Sequence, residues 1–206
     1  MRPAAFEANA PLIVGVTGAS GMLYLPPLLR LAAGVGCTVH GVISSAGRQV
    51  LGLELGLAHE DLPGAARWFR LDDFSAPMAS GSSRSSGMIV LPCTMGSLGA
   101  IASGCCHNLL HRAADVTLKE GRPLVLCVRE TPLNRTHLRN MLTLHEAGAV
   151  IFPLMPSFYH RPAGLEEMAE QLAARVLDLC GIPVPQLQRW GDHSGPDTGA
   201  GGDHAA

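Results

Sequence analysis

The chain is short of aromatic residues, which fill 4% of its 206 positions, and short of charge, at 16% with a formal net charge of −2. It has no run of Lys or Arg. The electrostatic footprint of a nucleic-acid binder is therefore missing, and so are the rings for a base-stacking platform. No apolar run reaches the ~18 residues that a spanning helix needs, so no membrane span is expected. The first residues, MRPAAFEANAPLIVGVTG, lack the charged, then apolar, then small-residue order of a secretory signal, and a cytoplasmic protein is expected. The six cysteines form no C-x-x-C pair, and several lie inside apolar runs such as VLPC and LVLCV. They read as reduced, buried thiols. The G-x-S-x-G of a serine hydrolase and the G-x-G-x-x-G of a dinucleotide site are both absent.

What is abundant is apolar: 47% of the residues, with a mean hydropathy of +0.22. A chain of this length fits one domain, and this hydropathy implies a large core, a buried subunit interface, or both. Continuous apolar runs at Leu12–Val16, Thr38–Ile43, Met88–Leu91, Pro123–Val128 and Ala149–Phe152 read as strands buried on both faces of a parallel sheet. Segments of helical length separate them. This order predicts an α/β fold, an open parallel sheet with helices on both faces and Rossmann-like in outline. A last helix over Gly164–Leu179 carries an apolar stripe of Leu165, Met168, Ala169, Leu172, Val176 and Leu179. At about 100° per residue Arg175 falls beside Met168, at the edge of that stripe, where it needs an anion or a route to water. Residues 1–190 are expected to form a single domain. Residues 191–206, Gly-rich and without large apolar side chains, read as a disordered tail.

Several constellations can carry chemistry. In LIVGVTGASG a buried strand runs into a Gly-x-x-Gly turn, with a helix expected from near Ser20. Main-chain N–H groups there favour an anion, and Gly18 and Gly21 let a ligand approach. The next strand ends in Ser44 and Ser45 rather than the acid that would hold a ribose, so a mononucleotide is favoured over NAD. The loop Ser80–Ser86 holds an Arg and many hydroxyls, suited to phosphate or to a ring's polar atoms, although composition alone favours a solvated loop. LPCTMGSLG repeats the strand-end and helix-start pattern with Thr94, Gly96 and Ser97. Arg112, Lys119, Arg129 and Glu130 are expected to converge on one edge. Tyr159 lies in a short loop between Pro156 and Pro162, where it can bond a phosphate or simply pack. Cys105, Cys106, His107 and His111 make a zinc cluster conceivable, but no matching ligand pair stands elsewhere, and no metal is expected.

Taken together, VTGASG, ASGSS, LPC-T-x-G-S-L, RAADVTLKEGRPLVLCVRETP, GAVIFP-x-MP-x-FYHRP and RW resemble the UbiX-like flavin prenyltransferases, from about Leu12 to Trp190. The resemblance implies a flavodoxin-like or Rossmann-like sheet in a homo-oligomer, commonly a dodecamer, with FMN at subunit interfaces. It implies transfer of a dimethylallyl group from dimethylallyl phosphate or pyrophosphate to N5 and C6 of reduced FMN. The prenylated FMN would serve a UbiD-like decarboxylase. Carried over by residue, FMN would meet Gly18, Ala19, Ser20, Ser44, Thr94, Met95, Gly96, Ser97 and Arg129. The donor phosphate would meet Lys119, Arg129, Glu130, Tyr159 and Arg175. Ser20, Glu54, Lys119 and Glu130 would be catalytic, and Trp190 would close over the site. Two departures stand out: Ser45-Ala46-Gly47 in place of Lys-Ala-Ala, and Pro26-Pro27 in the expected first helix. The alternatives are an FMN-dependent cysteine decarboxylase, disfavoured because Ser44–Gln49 contains no histidine, and a flavin carrier, which would not need Lys119, Glu130 and Arg175 together.

Overall fold

The computed structural model describes residues 10–65 and 67–191. The Gly-rich tail lies, after Gly191, outside the described residues, as does the start of the chain. Six strands form one parallel sheet: β1 (Leu12–Val16), β2 (Val39–Ile43), β3 (Arg67–Phe69), β4 (Gly87–Cys93), β5 (Leu124–Val128) and β6 (Val150–Pro153). Their order is β3-β2-β1-β4-β5-β6, so the winding reverses between β1 and β4. In an open α/β sheet that reversal opens a crevice at the carboxyl ends of the strands.

The helices are α1 (Leu25–Gly34), α2 (Ser45–Leu55), α3 (Met95–Ala102), α4 (Leu109–Lys119), α5 (Arg135–Glu146) and α6 (Leu165–Leu179). Successive strand residues point to opposite faces, and both faces are apolar. Leu12, Val14, Val16, Ile89, Leu91, Val125 and Cys127 pack with α1, α2 and α6. Ile13, Met88, Val90, Leu124, Leu126 and Val128 pack with α3, α4 and α5. This two-sided burial explains why the strands read as unbroken apolar runs.

Two elements differ from the sequence expectation. The short strand β3 carries the exposed Arg67 and only one fully buried residue, so it has no apolar run to betray it. The first α-helix begins at Leu25 rather than near Ser20, after a single 3₁₀ turn over Met22–Tyr24. Pro26 and Pro27 thus fall in the opening turn of α1, where a helix has no use for their missing N–H groups. They do not distort it.

The carboxyl ends of β1 and β4 are tied by one side chain. Thr17 is 2% exposed. Its Oγ1 donates to the Pro92 carbonyl at 2.8 Å and accepts from the Thr94 N–H at 2.8 Å. A hydroxyl can do both at once, and an apolar isostere can do neither. Thr17→Val keeps the shape but strands the Thr94 N–H, and we expect it to lower stability by about 1–3 kcal/mol. Thermal melting at fixed protein concentration checks this, at roughly 2–4 °C per kcal/mol for a chain of this size.

Candidate functional site at the carboxyl edge

Three helical segments begin around the β1/β4 reversal. Ser44 caps α2, its Oγ accepting from the Gly47 N–H at 2.9 Å. Thr94 caps α3, its Oγ1 accepting from the Ser97 N–H at 3.2 Å and lying 3.1 Å from Ser97 Oγ. The N–H groups of Met95 and Gly96 are left without a partner among the described residues. They head a helix whose dipole favours an anion. A Cβ added at Gly96 would meet only Thr94 Oγ1, at 4.0 Å, so the space in front of it is open. Two vacant donors, two hydroxyls and an open glycine fit the phosphate or polar ring edge of a flavin mononucleotide.

The glycine turn itself is used differently from the sequence expectation. A Cβ at Gly18 would come within 2.5 Å of the Ala46 Cβ, so this glycine is needed for packing against α2 as well as for any ligand. Gly21 has φ +112, a left-handed conformation that favours glycine. Its N–H and that of Met22 do not face an open anion site. Both donate to Glu54, at 3.0 and 2.8 Å to Oε2. Ser20 completes the grip with a side-chain hydrogen bond to the same carboxylate. Burial pushes the Glu54 carboxyl up, but the Ser20, Met22 and Gly21 donors and the nearby Arg129 guanidinium outweigh it. The net shift is downward, so Glu54 is ionised at neutral pH.

Arg129 and Glu130 follow β5 on the same edge. The Arg129 N–H donates to the Cys93 carbonyl at 3.3 Å, and Glu130 Oε1 accepts from the Thr131 N–H at 3.1 Å. From the turn the edge continues past the end of β6. Leu154 packs within 3.2 Å of where a Gly21 Cβ would stand, and the next residue, Met155, lines a cleft of about 420 Å³. Phe152, Tyr159, Arg175, Arg189 and Trp190 also line this cleft. Its walls are aromatic and its charges are guanidinium groups, which suits a ligand with an apolar part and an anionic head.

In that cleft two of the expected site residues already have partners within the chain. Tyr159 does not hold its hydroxyl ready for a phosphate: the O–H donates to the Gln188 carbonyl at 3.1 Å, and the ring meets Trp190 edge-on at 5.4 Å between centroids. Arg175 is not trapped at a buried helix edge: its side chain is 49% exposed and pairs with Asp178 one turn on, a carboxylate it shares with Arg189.

Lys119 ends α4, and α4 feeds the start of β5. Arg129 and Glu130 leave the other end of that strand, five residues on, roughly 16 Å away along the sheet. Lys119 instead pairs with Glu120 and stands beside Gly81, at the amino edge. The serine loop lies there too, pinned by Arg122, which donates to the Gly81 and Ser83 carbonyls. Arg112 is turned to the Ala79 carbonyl and Asp115. One chain therefore does not bring Lys119 and the serine loop to Arg129, Glu130 and Glu54. Sequence reasoning also missed Thr17, Gln171 and Arg122, whose roles depend on main-chain groups far along the chain.

Among the described residues no three His, Cys, Asp or Glu side chains gather as metal ligands. All six cysteines are free. Burial pushes Cys93 and Cys180 up to about 12 and Cys127 well above its ordinary value, so these thiols are not nucleophiles.

A sheet of this order with a phosphate cradle at the β1/β4 reversal defines a mononucleotide-binding α/β protein, and the family model described as Flavoprotein matches residues 4–176. The flavin prenyltransferase UbiX of Methanothermobacter thermautotrophicus is 44% identical over 182 residues, covering 87% of this chain and 94% of that protein. Two crystal structures are alike at 40% identity. One, AnUbiX in complex with FMN and dimethylallyl pyrophosphate, has a TM-score of 0.85 and covers 88% of this chain and 97% of its own. The other, a dodecameric FMN-dependent UbiX-like decarboxylase from Escherichia coli O157:H7, has a TM-score of 0.83 and covers 87% and 98%. The chain belongs to the UbiX flavin prenyltransferase family within the flavoproteins.

The grip on Glu54 sets a pH dependence. Its folded carboxyl lies below the ordinary 4.5. The stability it contributes is therefore complete above that pH and is lost as pH falls through the lowered folded value. Glu54→Gln can still offer one amide oxygen to both N–H donors, but it loses the negative charge that strengthens those bonds and the second acceptor oxygen. The melting-temperature gap between wild type and Glu54→Gln should be widest near neutrality and should close under acid. A gap constant down to the acid limb would rule out this account.

Proposed function

We propose that the chain is a flavin prenyltransferase, taking a dimethylallyl group from dimethylallyl phosphate or pyrophosphate and joining it to N5 and C6 of reduced FMN. The observation that carries this reading is the single edge on which an open α3 cradle, the Ser20–Glu54 pair, Arg129 with Glu130, and an aromatic cleft with guanidinium walls lie side by side. Gly18, Ala19, Ser20, Ser44, Thr94, Met95, Gly96, Ser97 and Arg129 would hold the flavin. When bound, reduced FMN supplies the two nucleophilic positions. Phe152, Tyr159 and Trp190 would keep water from the allyl chain. Arg129 and Arg175 would stabilise the leaving phosphate as its charge grows, by several kcal/mol in a site closed to water. Glu130 would hold a proton for a phosphate oxygen. Ser20 Oγ, hydrogen-bonded to Glu54, would take up the C6 proton while passing its own to that carboxylate.

Lys119 enters this scheme from a second copy. Its place at the opposite sheet edge of its own chain, and the exposed Leu133, Leu138, Leu142, Met155, Phe158 and Leu165, support a homo-oligomer in which one copy's amino edge meets another's carboxyl edge. A dodecamer is the form known for one structural relative. Six free cysteines suit the cytoplasm. No helix among the described residues is long and apolar enough to cross a membrane. The product would pass to a UbiD-like decarboxylase.

Anaerobic incubation with reduced FMN and each donor, followed by mass analysis, should show flavin enlarged by one isoprenyl unit. Bound but unmodified flavin with both donors would overturn the reading. Lys119→Ala and Arg129→Ala should each abolish product. Co-assembled at equal amounts they should recover about a quarter of wild-type turnover, the statistical share of sites drawing an intact residue from each of two copies. No recovery from confirmed mixed oligomers would place both residues within one chain's site.

A further inference from the structure

The wall of the aromatic cleft that carries Arg189 and Trp190 belongs to neither a helix nor a strand. It is the stretch Gln186–Trp190, which returns across α6 after the last helix has ended. Such a segment has no ladder of its own to hold it. Its main chain must find partners elsewhere or remain solvated.

Gln171 supplies them. It lies in the middle of α6 and is 9% exposed, one of three polar residues in the buried set. Its Nε2 donates to the Gln186 carbonyl at 3.0 Å, and its Oε1 accepts from the Gln188 N–H at 3.0 Å. The side-chain amide thus pairs with main-chain groups two residues apart, as a neighbouring strand would. The Gln188 carbonyl accepts from Tyr159, and Arg189 reaches Asp178 on α6. Three anchors on five residues fix the segment's path, and only the glutamine makes two bonds to its backbone.

We propose that Gln171 is the positioning residue of this reaction: it clamps Gln186–Trp190 as a strap over the cleft, and so sets the fit of the isoprenyl phosphate without touching it. This rests on the prenyltransferase reading given above. The strap brings two side chains that the donor meets, the Trp190 ring and the Arg189 guanidinium, while the flavin cradle at α3 shares no residue with it. Loosening the clamp should therefore weaken capture of the donor and leave flavin binding alone. A donor amide matters at one end and an acceptor at the other, so no single-function side chain replaces it.

The test uses the full-length protein and three variants, Gln171→Ala, Gln171→Leu and Gln171→Glu. Hydrogen exchange reads the strap directly, because the Gln188 N–H is bonded to Gln171. Exchange in the peptide spanning residues 184–190 should quicken in the alanine and leucine variants while that of β1 and β4 stays as in wild type. KM for dimethylallyl phosphate should rise about tenfold, the scale of two lost hydrogen bonds to main-chain groups, with kcat changed far less and FMN affinity unchanged. Gln171→Glu keeps the acceptor for Gln188 but turns a second acceptor on the Gln186 carbonyl, so it should fall between alanine and wild type in exchange. Unchanged exchange in the strap, or a loosened strap with an unchanged donor KM, would overturn the proposal. If the wild type makes no prenylated flavin, the enzymatic reading fails by itself. Exchange protection conferred on the strap by inorganic pyrophosphate, present in wild type and lost in Gln171→Ala, then still decides whether the clamp serves an anion site.

Discussion

The hydroxyl of Thr17 ties the ends of β1 and β4 together just where their ladder stops. At the carboxyl edge of a parallel sheet the ladder runs out and the chain turns outward; here its last link between β1 and β4 is the Thr17 N–H on the Pro92 carbonyl at 3.2 Å. The Thr17 hydroxyl adds to that bond by donating to Pro92 near the end of β4 and accepting from Thr94 just beyond it. The accepting bond matters most, because it fixes Thr94, and Thr94 in turn caps the helix whose first N–H groups stay vacant. A single buried oxygen thereby links the strand that leads into the glycine turn to the α3 cradle.

Charge around that crevice is arranged in opposition. Glu54 sits on the N–H groups of the turn, Arg129 stands near enough to draw its carboxyl down, and the cleft beyond β6 is walled by two arginines that share Asp178. Each cation has a carboxylate close by, and in the cleft Asp178 is 20% exposed while the guanidinium-bearing side chains of Arg175 and Arg189 are about half exposed and reach the open space. A phosphate entering that cleft meets positive charge first. Shared carboxylates also hold the guanidinium groups in place before the ligand arrives, which lowers the cost of organising them.

Much of this can be read from the chain, and the exceptions have physical reasons. β1, β2, β4 and β5 are legible because both of their faces are buried, β6 because it stays apolar although only half-buried, and α6 because its stripe keeps helical spacing. β3 is not, since three residues with an exposed Arg67 carry no period. Ser44 and Thr94 stand out as hydroxyl residues at the junction of an apolar run and a helix. Lys119 misleads because helical spacing relative to Arg112 says which face it shares and nothing about which end of the sheet it reaches. Connection rules would have told: a helix that crosses back between parallel strands must finish at the amino edge. Gln171 cannot be read at all from local pattern, since its partners lie 15 and 17 residues further on in a segment without periodicity.

The occupied turn after β1 has an outcome for cofactor choice. In sheets of this order, bridging phosphates usually rest on the N–H groups that open the first helix. Here two of those positions are prolines, which have no N–H to offer, and the donors just ahead of them already serve an acidic side chain. A diphosphate laid across this place would meet the Glu54 carboxylate, and the Gly21 and Met22 N–H groups that could relieve it are already taken. The vacant N–H groups that open α3, at the neighbouring strand end, are then the place left for a single phosphate.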